Sequence, residues 1–201
     1  MHSEEIGMSP VTIRREGKVA ILTMDRPDRH NAFNEDMWKS LDEAAAALAA
    51  DIPRAVVITG AGVKAFSAGF DVNPDNPQVG SLIDSVQKHD RGPVDALIHY
   101  IRGVVDRFTA LPVPIIAAVN GMAYGGGAEL ASRCDMRIAD PGAVFCFSEV
   151  RLGLIPDWGG GVALARLIGT GRAADMILTA RKVGAAEALA MGLVERVSAP
   201  G

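Results

Sequence analysis

The clearest chemical feature of the sequence is a run of glycines that ends shortly before an acid. Residues 125–127, all glycine, separate a short apolar run, Ile115–Val119, from Glu129. The apolar run predicts a strand buried on both faces, and the residues after the glycines suit the first turns of a buried helix. Peptide N–H groups at such a helix start have no intrahelical partner, and glycine has no Cβ to keep a ligand away. This stretch therefore predicts an oxyanion-binding turn.

Glu129 is placed one turn inside the predicted helix, among apolar neighbours. In such surroundings the pKa of a carboxyl group rises towards the range that is useful for general acid–base catalysis. A purely structural explanation is equally open, in which the glycines only allow close helix–strand packing and Glu129 complements the helix dipole. Whether Glu129 and the glycines have a catalytic or a structural role therefore depends on evidence from other residues.

Two further acids, Glu149 and Asp157, follow Glu129 along the chain. The spacing of Glu129 and Glu149 permits both side chains to face one cavity, but does not require it. Two carboxylates beside an oxyanion site suit reactions at the α- and β-carbons of an activated carbonyl, because one moves a proton while the other handles water. Asp157 follows a proline and could instead cap a helix that starts near Trp158.

An earlier part of the chain repeats the order of strand, loop and small residues. Residues 56–59 are a predicted buried strand, and residues 67–69 (Ser-Ala-Gly) follow a loop, at what we predict to be a helix start. Two such turns side by side would offer two backbone N–H donors to one oxygen atom. A developing enolate or tetrahedral oxyanion needs such an arrangement.

Strands alternate with helices along the chain, which places it in the α/β class. A hairpin is predicted over residues 11–15 and 19–24, and Asn34 is predicted to cap a helix that runs to Ala50. The other predicted strands cover residues 55–60, 115–119, 136–139, 144–147 and 193–197. The other predicted helices cover residues 81–90, 94–110, 162–168, 175–179 and 185–191, and residues 73–80 are predicted to be a loop.

Composition narrows the functional classes. The chain has 201 residues, of which 49% are hydrophobic and 22% charged, so one compact domain is expected. A net charge of −4 and the lack of a basic run argue against nucleic-acid binding. The sequence has no run of about 18 apolar residues, and the first ten residues lack the basic and apolar segments of a secretory signal. No membrane span is therefore expected.

Neither the cysteines nor the histidines are spaced as metal ligands. Cys134 and Cys146 stand alone and are expected to be buried, reduced side chains in a reducing compartment. The four histidines are scattered along the chain. We therefore expect no metal site.

Several motifs in a fixed order resemble the crotonase superfamily, the enoyl-CoA hydratase/isomerase family, from about residue 11 to residue 197. The motifs are Asp25-Arg26-Pro27 with Asn31-Ala32, residues 56–60, residues 66–71, residues 116–121, residues 125–130, Cys134-Asp135 and residues 149–156. The resemblance implies an α/β, ClpP-like spiral of ββα repeats with a shortened or missing C-terminal helical tail. It implies a single domain over residues 1–201, with a core over about 11–197 and an N-terminal extension over 1–10.

The resemblance also implies an acyl-CoA thioester substrate. The backbone N–H groups of Ala68 and Gly126 would hold the thioester oxygen, Glu129 would activate water for attack on C3, and Glu149 would exchange the proton at C2. Both glutamates together favour hydration of a trans-2-enoyl-CoA. The residues expected near CoA are Arg26, Arg29, Lys64, Ala65, Ala68 and Asp71.

The same resemblance implies no cofactor, since CoA is part of the substrate. It also implies a homotrimer or a dimer of trimers, a cytoplasmic location and a role in fatty acid metabolism.

Three other functions remain open. Asp157 departs from the small residue that is usual in the family's hydratases and, with Glu149, would suit double-bond isomerisation of an enoyl-CoA or dienoyl-CoA. A non-catalytic acyl-CoA-binding subunit is a further alternative. A serine hydrolase on the related ClpP-type fold would need Ser67 or Ser148 beside a histidine base, and the sequence has no matching motif.

Overall fold

The described part of the chain forms two β-sheets, one of seven strands and one of four. The computed structural model describes residues 5–8 and 10–199. The larger sheet has the spatial order β1-β2-β3-β4-β6-β8-β11. These strands are β1 (Glu5–Met8), β2 (Val11–Glu16), β3 (Val19–Met24), β4 (Ala55–Gly60), β6 (Ile115–Val119), β8 (Met136–Ala139) and β11 (Arg196–Val197). The smaller sheet has the order β10-β9-β7-β5, with β5 (Ala65–Ser67), β7 (Met122–Tyr124), β9 (Val144–Cys146) and β10 (Val183–Gly184).

Helices connect the strands. The α-helices are α1 (Glu35–Ala50), α2 (Pro77–Lys88), α3 (Gly92–Thr109), α4 (Gly126–Arg133), α5 (Gly160–Ile168), α6 (Thr170–Thr179) and α7 (Ala185–Met191). Two 3₁₀ helices lie at Pro27–Arg29 and Glu149–Leu152. Within the described residues, no helix combines the length and the apolar character needed to cross a bilayer.

The strand pairing shows a repeated unit. Strands β4, β6 and β8 lie parallel in the larger sheet, and each is followed directly by a strand of the smaller sheet, β5, β7 or β9. The chain then passes through helical structure to the next repeat. This is a spiral of ββα repeats, so the predicted fold class is confirmed.

The hydrophobic core joins both sheets to the helices, and it includes Phe66 and Phe145 of the smaller sheet. Side chains in β4 alternate between buried and half-buried, as expected for a strand with one face on the core. Helix α1 buries one face, which includes Met37, Trp38 and Leu41. The Asn34 side chain accepts a hydrogen bond from the Met37 N–H at 3.0 Å, which confirms the predicted N-cap.

The predicted helix start at residues 67–69 is wrong. Strand β5 ends at Ser67 and a loop follows, so the next helix is α2, which begins at Pro77 behind an Asn76 cap. The Ser67 hydroxyl donates to the Asn31 carbonyl at 2.8 Å, and Gly69 has a φ of +84°. The hydroxyl bond ties this turn to the loop before α1, and the positive φ is incompatible with a right-handed helix.

Other boundaries also differ from prediction. The helices predicted at residues 81–90 and 175–179 begin earlier, at Pro77 and Thr170, and the last strand is confined to Arg196–Val197. Within the predicted N-terminal extension, β1 pairs antiparallel with β2. Residues 1–4, 9, 200 and 201 of the predicted domain lie outside the described residues.

Candidate active site

The start of α4 carries backbone N–H groups that lack an intrahelical acceptor, as the glycine run predicts. The first intrahelical hydrogen bond joins the Glu129 N–H to the Gly125 carbonyl at 3.0 Å, so the N–H groups of residues 126–128 have no partner inside the helix. A Cβ at Gly126 would clash with the indole ring of Trp158, and one at Gly127 would clash with the Ser67 carbonyl. Both positions therefore require glycine because other groups approach their backbone closely.

The two turns predicted to lie side by side are in contact. Strands β5 and β7 pair in parallel, with Ala65 opposite Met122, and this places residues 67–69 against residues 125–127. A Cβ at Gly69 would lie only 2.7 Å from the amide nitrogen of Gly126. The predicted convergence of the two turns is confirmed, although only the second turn begins a helix.

The Ala68 amide already has a partner. Its N–H donates to the carbonyl oxygen of His30 at 2.9 Å. His30 and Asn31 both have positive φ, and the Asn31 side chain donates to the carbonyls of Ala61 and Ala65. An Ala68 amide that binds substrate must therefore share or exchange this bond, and its place in an oxyanion hole stays a prediction.

Glu129 is held by the backbone that leads into α5. Its side chain is buried, at 1% exposure. Oε2 accepts hydrogen bonds from the N–H groups of Trp158 at 3.0 Å and Gly160 at 2.8 Å, and Oε1 accepts from Asp157 at 3.2 Å. Glu129 thus places its negative charge at the N-terminus of α5 as well as in the first turn of its own helix.

Glu149 lies at the start of the second 3₁₀ helix and has contrasting surroundings. Both of its carboxyl oxygens are buried, and neither accepts a hydrogen bond from an N–H or O–H donor within the described residues. Burial raises the pKa of Glu149, whereas two weaker effects lower it: the nearness of its own backbone N–H, which is not in hydrogen-bond geometry, and a hydrogen bond with the Glu129 carboxyl. Two carboxylates cannot donate to each other, so that bond exists only when one carboxyl is protonated.

The pKa of Glu129 is also raised, to about 8, chiefly by burial and next by the negative charge of Glu149. The hydrogen bonds from Gly160 and Asp157 lower it, but do not offset the first two effects. Two acids that interact this closely titrate as a pair. Near neutral pH we expect the pair to hold one proton. The amide donors favour the charge on Glu129 and the proton on Glu149.

Asp157 faces the same cavity as the two glutamates, and burial raises its pKa. The alternative role predicted for Asp157, capping the next helix, is wrong. The N-cap of α5 is Gly159, and no side chain caps it there. The amides near this helix start instead donate to Glu129, which occupies the place that a capping side chain would take.

A cavity of about 160 Å³ brings the site together. Gly126, Glu129, Glu149 and Asp157 are among the residues that line it. The other walls are apolar and come from the residues around α2, α3 and the second 3₁₀ helix. They include Phe70, Leu82, Leu97, Ile98, Ile101 and Leu154. The arrangement joins acid–base groups and an amide donor to a slot for a hydrocarbon chain.

The residues predicted near CoA separate into two groups. Arg26 and Asp71 form an ion pair at 3.0 Å, and Arg26 also donates to the Ala32 carbonyl, which gives both residues a structural role. Burial alone would raise the pKa of Asp71, but hydrogen bonds from Asn73 and Arg26 outweigh it and lower the pKa.

The other cations are more accessible. Arg29 pairs with Asp75 at the surface, and Lys64 is exposed. Ala65 is buried, and its carbonyl accepts from Asn31. Contact of any of these residues with CoA stays a prediction.

The hydrolase alternative finds no support in the geometry. The Ser67 hydroxyl is buried and bonded to backbone groups. Among the described residues that line the cavity beside Ser148, none is a histidine.

Two residues that the sequence analysis missed belong to this site. The Trp158 ring lies on Gly126 and packs edge-on against Trp38, with ring centroids 4.6 Å apart. Arg133, one turn after Glu129 on α4, donates to the Trp158 carbonyl at 2.8 Å. The adjacent glycines at residues 159–161 were an available signal for Trp158, because a large ring beside several glycines suggests close backbone packing.

Comparison with known proteins gives a consistent result. The family described as Enoyl-CoA hydratase/isomerase matches residues 14–200. The short-chain-enoyl-CoA hydratase of Clostridium acetobutylicum is 39% identical over 196 residues, which cover 96% of this chain and 70% of that protein. The crotonyl-CoA hydratase of Syntrophomonas wolfei is 36% identical over 191 residues, covering 94% and 69%. A crystal structure of enoyl-CoA hydratase from Bacillus anthracis superimposes with a TM-score of 0.80 at 34% identity, covering 94% and 70%.

Proposed function

The chain belongs to the enoyl-CoA hydratase/isomerase family, and from this premise we propose that it adds water across the C2–C3 double bond of a trans-2-enoyl-CoA. One observation carries the proposal. The carboxyl groups of Glu129 and Glu149 line a single cavity beside the N–H of Gly126, which has no partner inside its helix, and most of the other residues that line the cavity are apolar. Relatives at 36% and 39% identity with hydratase names support the same activity.

The charge distribution assigns the two acids different roles. Glu129 receives three backbone hydrogen bonds that favour its carboxylate form, so it accepts a proton from water. The buried oxygens of Glu149 have no hydrogen-bond donor among residues 5–8 and 10–199, so Glu149 holds the proton and delivers it to the substrate.

The reaction then balances in protons and electrons. The water oxygen forms a bond to C3 as Glu129 takes one proton of the water. The π electrons of the C2–C3 bond move towards the thioester oxygen and give an enolate, which the Gly126 N–H stabilises. The enolate collapses as C2 takes the proton of Glu149. One proton has then moved from Glu149 to C2 and another from water to Glu129, so the pair again holds one proton.

The remaining parts of the substrate fit neighbouring features. The hydrocarbon chain would lie against α2 and α3 in the apolar part of the cavity. The CoA portion would extend along the loops that carry Arg29, Lys64 and Ala68, and Ala68 would add a second oxyanion donor once its bond to His30 is exchanged. No cofactor takes part, since CoA belongs to the substrate.

The test is an assay of the purified chain with crotonyl-CoA, in which loss of the conjugated double bond is followed by ultraviolet absorbance. Hydration that is saturable in crotonyl-CoA supports the proposal. Binding of crotonyl-CoA without turnover would instead indicate the non-catalytic acyl-CoA subunit and would refute hydration.

A second candidate activity is double-bond isomerisation of an enoyl-CoA or dienoyl-CoA. The observation that favours it is a third acid, Asp157, in the same cavity with a raised pKa. Glu149 and Asp157 would then remove and return the proton at different carbons. An assay with a 3-enoyl-CoA measures this activity, and Asp157→Asn should reduce it while leaving hydration nearly unchanged.

The family resemblance also supports a homotrimer or a dimer of trimers, built from a single domain over residues 1–201, with a role in fatty acid metabolism. Light scattering behind size-exclusion chromatography would determine the number of subunits. Cys134 and Cys146 are both free thiols, which supports a reducing compartment such as the cytoplasm.

A further inference from the structure

Arg133 and Glu129 lie one helical turn apart on α4, and both reach the loop before α5. Glu129 accepts from the N–H of Trp158 at 3.0 Å, and Arg133 donates to the carbonyl of the same residue at 2.8 Å. Both backbone polar groups of Trp158 are therefore bound to α4. We propose that Arg133 is a positioning residue, which fixes this loop and, through the loop amides, the carboxylate of Glu129. The inference rests on the proposed hydration, in which Glu129 activates water.

Arg133 is itself anchored to a third element. Its Nη2 forms an ion pair with Asp106 at 2.6 Å and donates to the Thr109 hydroxyl at 3.0 Å, both on α3. The Arg133 side chain is 18% exposed, so its position is set by protein contacts more than by solvent. The planar guanidinium can donate in two directions at once, which the ammonium of lysine does less well. Arg133 thus joins α3, which also lines the acyl cavity, to the loop that holds Glu129.

The backbone of the loop fits this arrangement. Gly159 has a φ of +91°, and a Cβ there would lie 3.0 Å from Nη1 of Arg133. A Cβ at the next residue, Gly160, would clash with the backbone and side chain of Glu129. The loop therefore lies directly on both side chains of α4, and a small displacement of the loop would change the hydrogen bonds to Glu129.

The pKa of Glu129 gives a readout that a merely structural role would not change. The charged groups that act on Glu129 are Glu149, on the second 3₁₀ helix, and Asp157, on the loop, and both raise its pKa. The amides of Asp157 and Gly160 lower it. If Arg133 is lost, the loop relaxes and these amide bonds weaken. The pKa of Glu129 should then rise further, and the base should be correctly placed less often.

The variants are Arg133→Met, which removes the donors, and Arg133→Lys, which keeps one. With crotonyl-CoA, Arg133→Met should lower kcat roughly 10- to 100-fold. It should change KM by less than about threefold, because the substrate contacts remain. The acidic limb of its pH–rate profile should move upward by roughly one pH unit. Arg133→Lys should show a smaller loss of kcat and a smaller shift of the acidic limb than Arg133→Met. Arg102→Met, which removes an exposed arginine of α3, is the matched control and should leave all three quantities unchanged.

A second measurement makes the test independent of turnover. Carbon-13 NMR of the protein labelled at glutamate carboxyls gives the titration midpoint of Glu129, assigned by the resonance lost in Glu129→Gln. An upward shift of this midpoint in Arg133→Met supports the positioning role even if the wild type does not hydrate crotonyl-CoA, a result that would refute only the proposed hydration. Equal midpoints in wild type and Arg133→Met would overturn the inference. The inference would also be overturned if the activity of Arg133→Met fell only in proportion to the loss of folded protein, measured by circular dichroism, and the pH–rate profile did not move.

Discussion

Glu129 and Glu149 are the same residue type in the same cavity, but the backbone supplies hydrogen-bond donors to only one of them. Glu129, on α4, receives three backbone N–H groups from the start of α5. Glu149, on a short 3₁₀ helix, has two buried oxygens without an N–H or O–H donor in the part of the chain that the structure describes. Donors stabilise a carboxylate, and their absence favours the neutral acid. The difference in donors, rather than in side-chain chemistry, separates the base from the acid.

The comparison also separates function from stability. Glu129 satisfies backbone groups that would otherwise lack acceptors, so it contributes to the fold as well as to the proposed chemistry. Among the residues that the structure describes, Glu149 accepts no hydrogen bond from a backbone donor, and its burial costs free energy. A residue that is kept at a cost to stability is the stronger candidate for a purely catalytic role.

Glu149→Gln should have the largest effect on activity. The amide keeps the shape of the side chain but cannot transfer a proton, so kcat for hydration should fall by roughly 10²- to 10⁴-fold. Isomerisation of a 3-enoyl-CoA should fall as well. The free energy of unfolding, measured with urea, should stay the same or increase, because a buried carboxyl without donors is removed. A near-normal rate in this variant would refute the role of Glu149 as proton donor.

Glu129→Gln should lower hydration by roughly 10²-fold and, unlike Glu149→Gln, should destabilise the protein. The new NH₂ group would face backbone N–H donors, so the free energy of unfolding should fall by about 1–3 kcal/mol. Urea unfolding of both variants under one buffer condition makes the comparison direct. Equal stabilities would show that the amide donors to Glu129 contribute little. Isomerisation retained in Glu129→Gln, with hydration lost, would indicate a bifunctional enzyme.

Gly160→Ala perturbs the amide donors without removing either acid. The added Cβ would clash with Glu129, so the loop must shift. The shift should lower the free energy of unfolding by about 1–3 kcal/mol and should also reduce the rate at which crotonyl-CoA is hydrated. Gly171→Ala is the matched control, because that glycine lies inside α6 and a Cβ there meets open space. The control should be stabilised by about 0.5–1 kcal/mol. The loop packing would be refuted if the two variants were equally stable.

A further prediction concerns the pH dependence of stability. The pKa of Glu129 in the folded protein is about 8, above its ordinary value of 4.5, chiefly because of burial. Because Glu129 and Glu149 titrate as a pair, this value belongs to the proton that the pair shares. Between these pH values the pair binds more protons in the folded state than in the unfolded state, so its contribution to stability is fully present below about pH 4.5 and is lost as the pH rises towards 8. The contribution of one proton is at most about 1.4 kcal/mol per pH unit.

Urea unfolding between pH 5 and 8 would measure this dependence, and Glu129→Gln should flatten it. A wild-type stability that increases with pH over the whole interval would contradict the raised pKa.

Much of the framework could be predicted from local sequence. The hairpin of β2 and β3, the Asn34 cap of α1 and the strand β6 depend on side-chain alternation, capping chemistry and apolar runs, which involve residues close together along the chain. The predicted burial of β6 on both faces is wrong, because Ile116 and Ala118 on its second face are only half-buried. The glycine run before α4 also predicted unpaired backbone donors, because helix geometry alone leaves the first N–H groups without partners.

Only the tertiary structure determined which groups of the site form hydrogen bonds with each other. The donors to Glu129 come from residues 157–160, the Ala68 amide meets the carbonyl of His30, and Arg133 bonds to Trp158. The failed prediction of a helix after β5 has the same origin, since the bond from Ser67 to Asn31 joins segments that are distant in sequence. Local sequence determines which groups can donate or accept. Which of them meet depends on the path of the loops between strands, and so the protonation of the two glutamates was determined by packing.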